Sequence, residues 1–445
     1  MNLFELRQKW LYSGCGAPEC SQTTAQLAIY AENCSLTKNE NIWSQSVQES
    51  IVVSTYPLAL WMLQSWWRLL YEPLPVRGRP ATHWRMAHEL GAVGHGFVWP
   101  KVIFASDSEN VQIWASPSDM RCQQSVRYLN GLHSPVAVPV AEFENVLFDF
   151  VSTVISRLDA VGVSASDLSE LFKILQDEQQ DGESFIYRKL EALMGFDPDE
   201  CPLETMHYAV GLLRDYGEDT LSELAPMYGK NTCDTPLKPI EDFITTTGIF
   251  GKPTFSITRD PERAMTFSAP WKLAVEDAHR LRKEIGNETR PISTGDLFDF
   301  LGVASSDIEK WEPKGRVSVS VGIPTGNRHI KFVPRKKHPV SRRFELSRYI
   351  GDFCYAGVNR WLTNTDLGTA RQKYQRAFGA EFLCPIQGLI DFLQDDFSDE
   401  ALDDAAEHFE VSQQTITSLL ANNHVIEYSG QDEIPYQIGF STGSF

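Results

Sequence analysis

The segment from Arg343 to Asp352 constrains the fold of this chain more than any other stretch of similar length. It reads Arg-Phe-Glu-Leu-Ser-Arg-Tyr-Ile-Gly-Asp. Residues four apart lie on one face of a helix, so Arg348 and Asp352 are expected to point to the same side. One interpretation is an ordinary amphipathic helix that buries its three apolar members, Phe344, Leu346 and Ile350.

A second interpretation is a resemblance to a zinc-peptidase helix, in which His-Glu-x-x-His supplies two zinc ligands and a general base. The segment resembles the ImmA/IrrE-type metallopeptidases, whose frame is Arg-Phe-x-Leu-Ala-His-Glu-Leu-Gly-His. The frame is matched at Arg343, Phe344, Leu346 and Gly351, with Ser347 and Ile350 as close replacements. The catalytic positions differ: Arg348 replaces the first ligand, Tyr349 the general base and Asp352 the second ligand.

The flanking segments extend this resemblance over about residues 263–445. The stretch from Arg371 to Pro385 is similar to the second helix of the family, Glu-x-x-Ala-Asn-x-Phe-Ala-Ala-Glu-Leu-Leu-Met-Pro, and Gln372 stands where that helix carries the third zinc ligand. Upstream, Trp271–Arg282 and Leu297–Gly302 resemble the opening helix pair. We call Arg348, Tyr349, Asp352 and Gln372 the family catalytic positions.

The residues at these positions argue against zinc hydrolysis. An arginine cannot lose its proton to become a ligand, and a tyrosine with an ordinary pKa of about 10 is a poor base at neutral pH. We therefore expect no catalytic residue, no cofactor and no metal in this helix. We also expect Arg348 and Asp352 to form an ion pair across the space that zinc fills in active relatives.

A chain of 445 residues is longer than one hydrophobic core normally covers, so several domains are expected. The patterns predict a helix-rich α+β protein in which a zincin-like domain with a helical tail follows a mixed α/β region and an α-helical region. The predicted divisions are a mixed domain at 1–135, a helical region at 136–229, a linker or boundary at 230–262 and the ImmA/IrrE-like domain at 263–445.

Several local patterns predict individual elements. A β-hairpin is expected from Lys101–Phe104 and Val111–Ala115, and strands are expected at Val317–Gly322 and His329–Val333. Ser398 is expected to cap a helix. Ala401–Phe409 and Gln413–Asn422 resemble a helix-turn-helix, but the second helix carries no Arg or Lys for DNA. We expect that pair to pack as part of the fold.

The chain is expected to lie in the cytoplasm with reduced thiols. Its eight cysteines follow no recurring spacing, and the N-terminus does not resemble a signal peptide. The longest apolar stretch, Ile51–Leu70, contains Pro57 and Arg68 and is interrupted too often for a bilayer span. We expect it to form a buried helix and predict no membrane partner.

A catalytic alternative draws on other residues. His83, His88 and His95 with nearby acids could hold a metal. However, His88 and His95 are seven residues apart, and on a helix that distance is too long for both to bind one metal ion. In the second form of this hydrolase hypothesis, a metal binds near Glu345 and Asp352, and Tyr349 stabilises an oxyanion. Histidines that pack or form hydrogen bonds in the core are the simpler interpretation.

The segment Arg328–Arg348, which we call the basic segment, is rich in Arg and Lys although the chain has a formal net charge of −19. Seven of its residues form a candidate patch for an acidic partner or nucleic acid: Arg328, Lys331, Arg335, Lys336, Lys337, Arg342 and Arg343. The simpler alternative is neutralisation by the chain's own acids, which are abundant between Asp391 and Glu410. The overall negative charge argues against general affinity for nucleic acid.

The resemblance implies a non-catalytic regulatory or scaffold protein that acts through protein–protein contacts. Members of the family commonly accompany transcriptional repressors and lie in mobile-element or anti-phage loci, so stress response or defence is the implied setting. A metal-dependent hydrolase with a non-standard site, and a nucleic-acid-binding subunit of a defence complex, are the alternatives. The sequence predicts neither the oligomeric state nor the identity of a partner.

Overall fold

The computed structural model describes residues 2–11, 16–76, 79–119, 124–163, 166–230, 232, 234–255, 269–313, 318–357 and 359–426. The chain forms two compact units that divide between His207 and Tyr208. Both combine helices with small antiparallel sheets, so the predicted α+β class is confirmed. The finer division at residues 135, 229 and 262 stays a prediction.

Among its described residues, unit 1 contains three small antiparallel sheets. Their orders are β1-β2-β3 with β6 on β2, β10-β8-β7, and β5-β4-β9. The strands are β1 Phe4–Trp10, β2 Thr24–Ala31, β3 Cys34–Ser35, β4 Asn39–Asn41, β5 Ser46–Gln48, β6 Ile51–Ser54, β7 Lys101–Ser106, β8 Asn110–Ser116, β9 Val126–Tyr128 and β10 Val136–Pro139. Because β7 pairs with β8 from Lys101↔Ser116 to Ser106↔Val111, the predicted hairpin is confirmed.

The helices of unit 1 share a core with its strands. They are α1 Pro18–Gln22, α2 Tyr56–Gln64, α3 Trp66–Tyr71, α4 Thr82–His88, α5 Val140–Ala160, α6 Asp167–Gln180, α7 Gly182–Leu193 and the start of α8 Leu203–Tyr216, with a 3₁₀ turn at Leu90–Val93. The apolar stripe of α5 is buried, and the Phe143 ring lies 5.3 Å from Phe4 and 5.4 Å from Phe104. Helices α5, α6 and α7 therefore share one hydrophobic core with the strands that precede them.

The prediction of one buried helix over Ile51–Leu70 is wrong in detail. Ile51–Ser54 pairs with β2 as a strand, and two short helices follow with a break at Ser65. Three β-branched residues, Ile51, Val52 and Val53, favour the ladder, and Pro57 suits only the first turn of a helix. Within the described residues, no helix has the length and apolar character needed to cross a bilayer.

Unit 2 contains one four-stranded antiparallel sheet and most of the helices. The sheet order is β11-β13-β12-β14, with β11 Ile249–Gly251, β12 Ser320–Gly326, β13 His329–Val333 and β14 Leu362–Asn364. The helices after α8 are α9 Glu218–Leu224, α10 Lys238–Thr245, α11 Pro270–Glu284, α12 Thr294–Leu301, α13 Ser305–Glu309, α14 Pro339–Ala356, α15 Ala370–Leu383, α16 Ile386–Leu393, α17 Asp399–Phe409 and α18 Gln413–Asn422, with a 3₁₀ turn at Ala225–Met227.

Most of the predicted elements of unit 2 are present. The strand His329–Val333 is confirmed, the strand before it begins at Ser320, and residue 317 lies outside the described part. The Ser398 hydroxyl caps α17 by accepting from the Ala401 amide at 3.3 Å. Helices α17 and α18 bury their apolar faces in the core of the unit, as the packing interpretation of the tail predicts.

Two glycines let α14 and α15 cross closely. A Cβ at Gly351 would stand 2.8 Å from the Phe378 ring, and a Cβ at Gly379 would stand 2.8 Å from the Ser347 hydroxyl oxygen. Real Cβ atoms do not approach other atoms so closely, so larger residues would push the helices apart. The crossing sets the positions of the polar side chains that the two helices direct toward β14.

Candidate functional site

Three of the family catalytic positions converge on one stretch of backbone at the sheet edge. Arg348 and Asp352 lie one turn apart on α14, and Gln372 lies on α15. Arg348 Nη2 donates to Thr365 O at 2.8 Å, Thr363 N donates to Asp352 Oδ2 at 2.7 Å, and Thr365 N donates to Gln372 Oε1 at 2.9 Å. All three side chains are buried. We call this group the edge-strand cluster.

Arg348 is a buried cation surrounded by neutral acceptors. Besides Thr365 O, its Nη2 donates to the amide oxygens of Gln372 and Gln375, and its Nε has no hydrogen-bond partner. Burial, with the charges of Arg376 and Arg335 nearby, lowers the pKa of Arg348 to about 9, so the guanidinium stays protonated at neutral pH. The side chain is therefore held as a hydrogen-bond donor and cannot act as a metal ligand.

Asp352 pairs with Arg371 and not with Arg348, so the expected ion pair across the helix turn is wrong. Arg371 Nε donates to Asp352 Oδ1 at 2.7 Å, and Arg371 Nη2 donates to Asp352 Oδ2 at 2.8 Å. This fork-to-fork geometry is the favourable one for a guanidinium and a carboxylate. Arg348 instead reaches the amides of α15, because those oxygens and Thr365 O surround its Nη2.

Both the oxygen and the nitrogen of the Gln372 side-chain amide form hydrogen bonds. Its Oε1 accepts from Arg348 and Thr365 N, while its Nε2 donates to Thr363 O and to Glu223 Oε2, each at 2.8 Å. A carboxylate at this position could not make the two donations. The residue that stands at the third ligand position is thus built into the backbone hydrogen bonding of β14.

Sequence reasoning missed Glu223, which completes the edge-strand cluster from α9. The Thr369 hydroxyl donates to both of its carboxyl oxygens, at 2.8 and 2.9 Å. Burial raises the pKa of the Glu223 carboxyl, while the charge of Arg371 opposes that shift. No local signal identifies Glu223, because its partners lie 146 to 149 residues further along the chain.

Tyr349 contacts a different part of the sheet. Its hydroxyl lies 3.1 Å from Val321 O on β12 and 3.4 Å from Val333 O on β13, and its ring centroid is 5.1 Å from that of Phe332. Burial, together with the charge of Glu345, raises the pKa of Tyr349 well above its usual value. A neutral phenol that donates to backbone carbonyls gives the structure no general base at this position.

Three members of the basic segment are engaged inside unit 2: Lys331 and Arg343 are buried, and Arg335 is partly buried with a side chain that is 5% exposed. Lys331 Nζ donates to Phe243 O, Ile244 O and Thr246 O at 2.7 to 3.1 Å, which caps the C-terminal carbonyls of α10. Arg343 lies 2.9 Å from Glu410 and donates to Ile292 O at 2.7 Å. Arg335 pairs with Asp366 at 2.6 Å. These three cations stabilise the fold and are not available as an open surface.

The other four members are more exposed but are not all free. Arg328 Nη2 donates to Phe255 O at 2.6 Å, and Arg342 donates to the carbonyls of Ile308, Trp311 and Lys336. Lys336 is half-buried, and the exposed Lys337 lies 3.5 Å from Glu312. Of the acids between Asp391 and Glu410 that the sequence offered for neutralisation, Glu410 is the one seen paired with this segment, through Arg343.

The histidines of unit 1 do not assemble into a metal centre. His88 is buried, with Nδ1 2.8 Å from Phe104 O and Nε2 2.9 Å from Glu72 Oε2. Its neighbour Glu89 pairs with Arg85 at 2.6 Å. In unit 2, Glu345 accepts from the amides of Arg335 and Lys336. Across the described ranges, no group of three His, Cys, Asp or Glu residues is placed to hold a metal ion.

The zinc ion that an ImmA/IrrE-type fold implies does not fit these residues. The first ligand position carries a cation, the oxygens of the second are occupied by Arg371 and Thr363, and the third is an amide with both ends engaged. Comparison of the chain with models of protein families, with curated proteins and with solved structures found no match.

Proposed function

We propose that unit 2 is a non-catalytic ImmA/IrrE-like domain and that the protein is a regulator or scaffold that acts through protein–protein contacts. The observation that supports this best is the convergence of Arg348, Asp352 and Gln372 on backbone residues 363–365. Three positions that the sequence resemblance selects, on two helices, meet at one sheet edge. Bacterial stress response, mobile-element control or anti-phage defence is the setting that the family resemblance implies.

The way in which the hydrogen bonds of the edge-strand cluster are satisfied supports the proposed lack of zinc catalysis. A zinc ion would need to displace the buried ion pair between Asp352 and Arg371 and the hydrogen bonds of Gln372. It would also need to bind next to the protonated Arg348, whose charge repels a metal cation. The cluster instead links α14, α15 and β14 through hydrogen bonds and one ion pair.

The zinc content of the protein tests the non-catalytic part of this proposal. Protein purified without chelator is expected to contain no stoichiometric zinc, and Arg348→Ala is expected to alter stability or partner binding without abolishing a reaction. One zinc per chain that disappears in Asp352→Ala would overturn the proposal. Metal-dependent cleavage of a protein substrate that is lost in Arg348→Ala or Asp352→Ala would overturn it as well.

A gain of zinc tests the ImmA/IrrE-like part. The substitutions Arg348→His, Asp352→His and Gln372→Glu restore the three ligand types, and Arg371→Met removes the cation that otherwise stays near the second ligand. A folded variant is expected to bind one zinc, and the matched variant that retains Gln372 is expected to bind it at least about tenfold more weakly. Equal zinc affinity of the two variants would contradict a zincin-like arrangement of these positions.

The partner class is tested by capture from the native host. The intact protein is expected to retain a specific protein, identified after cross-linking and affinity purification. Nucleic acid is the less favoured partner, because Lys331, Arg335 and Arg343 are engaged in internal contacts. Recovery of nucleic acid alone, with an affinity that falls steeply as salt rises, would replace the protein-partner proposal with the nucleic-acid alternative.

A further inference from the structure

Unit 1 has a half-open cavity of about 730 Å³ among helices α2, α3, α4 and α6 and the loop after α7. Ligand sites for small molecules typically measure about 300 to 1,000 Å³ and combine apolar walls with a few polar groups. Apolar side chains line most of this cavity, and its charged or titratable members are Arg68, Arg188, Glu178, Asp197, Asp199, His83 and His95. The volume of the cavity falls within this range, and its lining combines apolar with polar side chains.

A buried arginine lines this cavity with one nitrogen unused. The Arg68 side chain is 1% exposed, its Nε donates to Glu72 Oε2 at 2.6 Å, and its Nη1 donates to Asp197 Oδ1 at 2.9 Å. Its Nη2 has no hydrogen-bond partner. Leaving a buried donor unsatisfied costs about 1–3 kcal/mol, and more when the donor is charged. An acceptor oxygen from a bound molecule would remove that cost.

Carboxylates outnumber cations around the cavity. Arg188 lies within 2.9 Å of Glu178, Glu191 and Asp199, and Arg68 pairs with Glu72 and Asp197. Two guanidinium groups, together with the His88 imidazole on Glu72, are thus shared among five carboxylates. The exposed side chains of this group are acidic: Asp199 is 82% exposed and Asp197 43% exposed, whereas Arg188 is 12% exposed. A cationic group is the complement of this rim.

Two tryptophans give the cavity rigid aromatic walls. Trp61 Nε1 donates to Met86 O at 2.8 Å, and Trp67 Nε1 donates to Glu178 Oε2 at 3.1 Å. Both indoles line the cavity with their polar atoms already satisfied, so their rings offer an apolar surface. Aromatic surfaces of this kind bind flat apolar groups and also attract cations.

We propose that this cavity binds a small organic cation that also carries an uncharged carbonyl oxygen and an aromatic or aliphatic body. The ammonium group pairs with Asp197 and Asp199, the carbonyl oxygen accepts from Arg68 Nη2, and the body packs against Trp61 and Trp67. A ligand carboxylate is disfavoured, because the five carboxylates around the two arginines repel it. Amino-acid amides are the simplest compounds that have all three features.

Calorimetric titration of the full-length protein with L-tryptophanamide tests the proposal, because this probe combines an ammonium group, an amide carbonyl and an indole. Saturable binding is expected. N-acetyl-L-tryptophanamide lacks the cation, and L-tryptophan has a carboxylate in place of the amide. Each is expected to bind at least about tenfold more weakly than L-tryptophanamide. Tryptamine lacks the carbonyl oxygen, and the loss of a hydrogen bond to Arg68 is expected to weaken it by a similar factor.

Two exposed carboxylates provide a matched pair of variants. Asp199→Asn removes charge at the cavity rim and is expected to weaken L-tryptophanamide binding by about threefold to fivefold. Glu49→Gln removes an exposed carboxylate that pairs with Lys38 elsewhere in unit 1, and is expected to leave binding unchanged. No saturable binding at millimolar probe, equal binding of the acetylated probe, or equal effects of the two variants would each overturn the proposal.

Discussion

Asp352 and Arg371 form a buried bidentate ion pair, with Nε–Oδ1 and Nη2–Oδ2 distances of 2.7 and 2.8 Å. Asp352 also accepts from Thr363 N, and Arg371 also donates to the carbonyls of Asp219 and Trp361. The pair therefore joins α14, α15 and the edge strand β14. Its energetic role differs from that of a surface ion pair, because removing either partner leaves a buried charge alone.

We expect Asp352→Ala to destabilise unit 2 by about 3–5 kcal/mol, because Arg371 would remain buried without its counter-charge. The double variant Asp352→Leu, Arg371→Met is expected to recover most of that loss. Hydrogen exchange of peptides from Pro339–Ala356 and Ala370–Leu383 measures the effect within the unit. Asp215→Ala, which breaks the exposed pair with Arg214, is the control and is expected to leave this exchange unchanged. A double variant as unstable as the single one would contradict the argument.

Gln372→Met is expected to destabilise the same helices by at least about 3 kcal/mol. The substitution leaves Thr365 N without its acceptor and Glu223 and Thr363 O without one donor each, and it removes one acceptor from Arg348. Denaturant unfolding combined with hydrogen exchange of Ala370–Leu383 measures the loss. Gln387→Met removes an exposed glutamine that donates to Asp391, so it controls for the change of side chain. Equal small effects at the two positions would show that the cluster contributes little.

Glu223 is expected to make unit 2 less stable as the pH rises. Burial raises its pKa in the folded state, so its contribution is fully present below the unfolded pKa of about 4.3 and is lost as the pH rises through the folded pKa. Glu223→Gln removes this titration. The stability of the variant relative to the natural protein should therefore increase with pH above about 4.3 and stay constant below it. A difference that is independent of pH between 4 and 8 would contradict this prediction.

The pair of His279 and Glu381 is expected to add a second pH dependence in unit 2. Their Nε2 and Oε1 atoms lie 2.7 Å apart, and this hydrogen bond raises the pKa of His279. The stabilisation is fully present below the unfolded pKa of about 6.5 and is lost as the pH rises through the folded value. Because the imidazole is half-exposed, the effect should stay below about 1 kcal/mol.

Thermal unfolding between pH 5.5 and 8.5 measures this second effect. His279→Gln and Glu381→Gln should each remove the same part of the slope, and the double variant should remove no more than either single one. Glu381 also accepts from the Ile386 amide at 3.0 Å, so a glutamine there keeps one acceptor for the start of α16. Additive effects of the two substitutions would show that the hydrogen bond to Glu381 is not the cause of the raised pKa of His279.

Local patterns in the sequence were sufficient for several elements of the fold. The runs Lys101–Phe104 and Val111–Ala115 on either side of a polar turn predicted the β7–β8 hairpin, and Ser398 predicted the start of α17. The predicted strand His329–Val333 is present with the same ends. These features depend on neighbouring residues, whose turn, capping and periodicity preferences act over a few positions. The break at Ser65 was missed, because the apolar stretch around it lacks a strong local stop signal.

The sequence by itself determined that Arg348 and Asp352 would share one helix face, since periodicity fixes which residues lie on the same side of a helix, and the family resemblance predicted a second helix for Gln372. Only the tertiary structure decided that Asp352 pairs with Arg371, that Glu223 joins Gln372 from 149 residues away, and that Lys331 caps α10. Arg348 lies one helix turn from Asp352, so spacing along the chain predicts that these two residues pair. The crossing of α14 and α15 instead brings the buried Arg371 to Asp352 in bidentate geometry. Which side chains pair depends on their distances in the folded structure, and these distances cannot be derived from composition or from spacing along the chain.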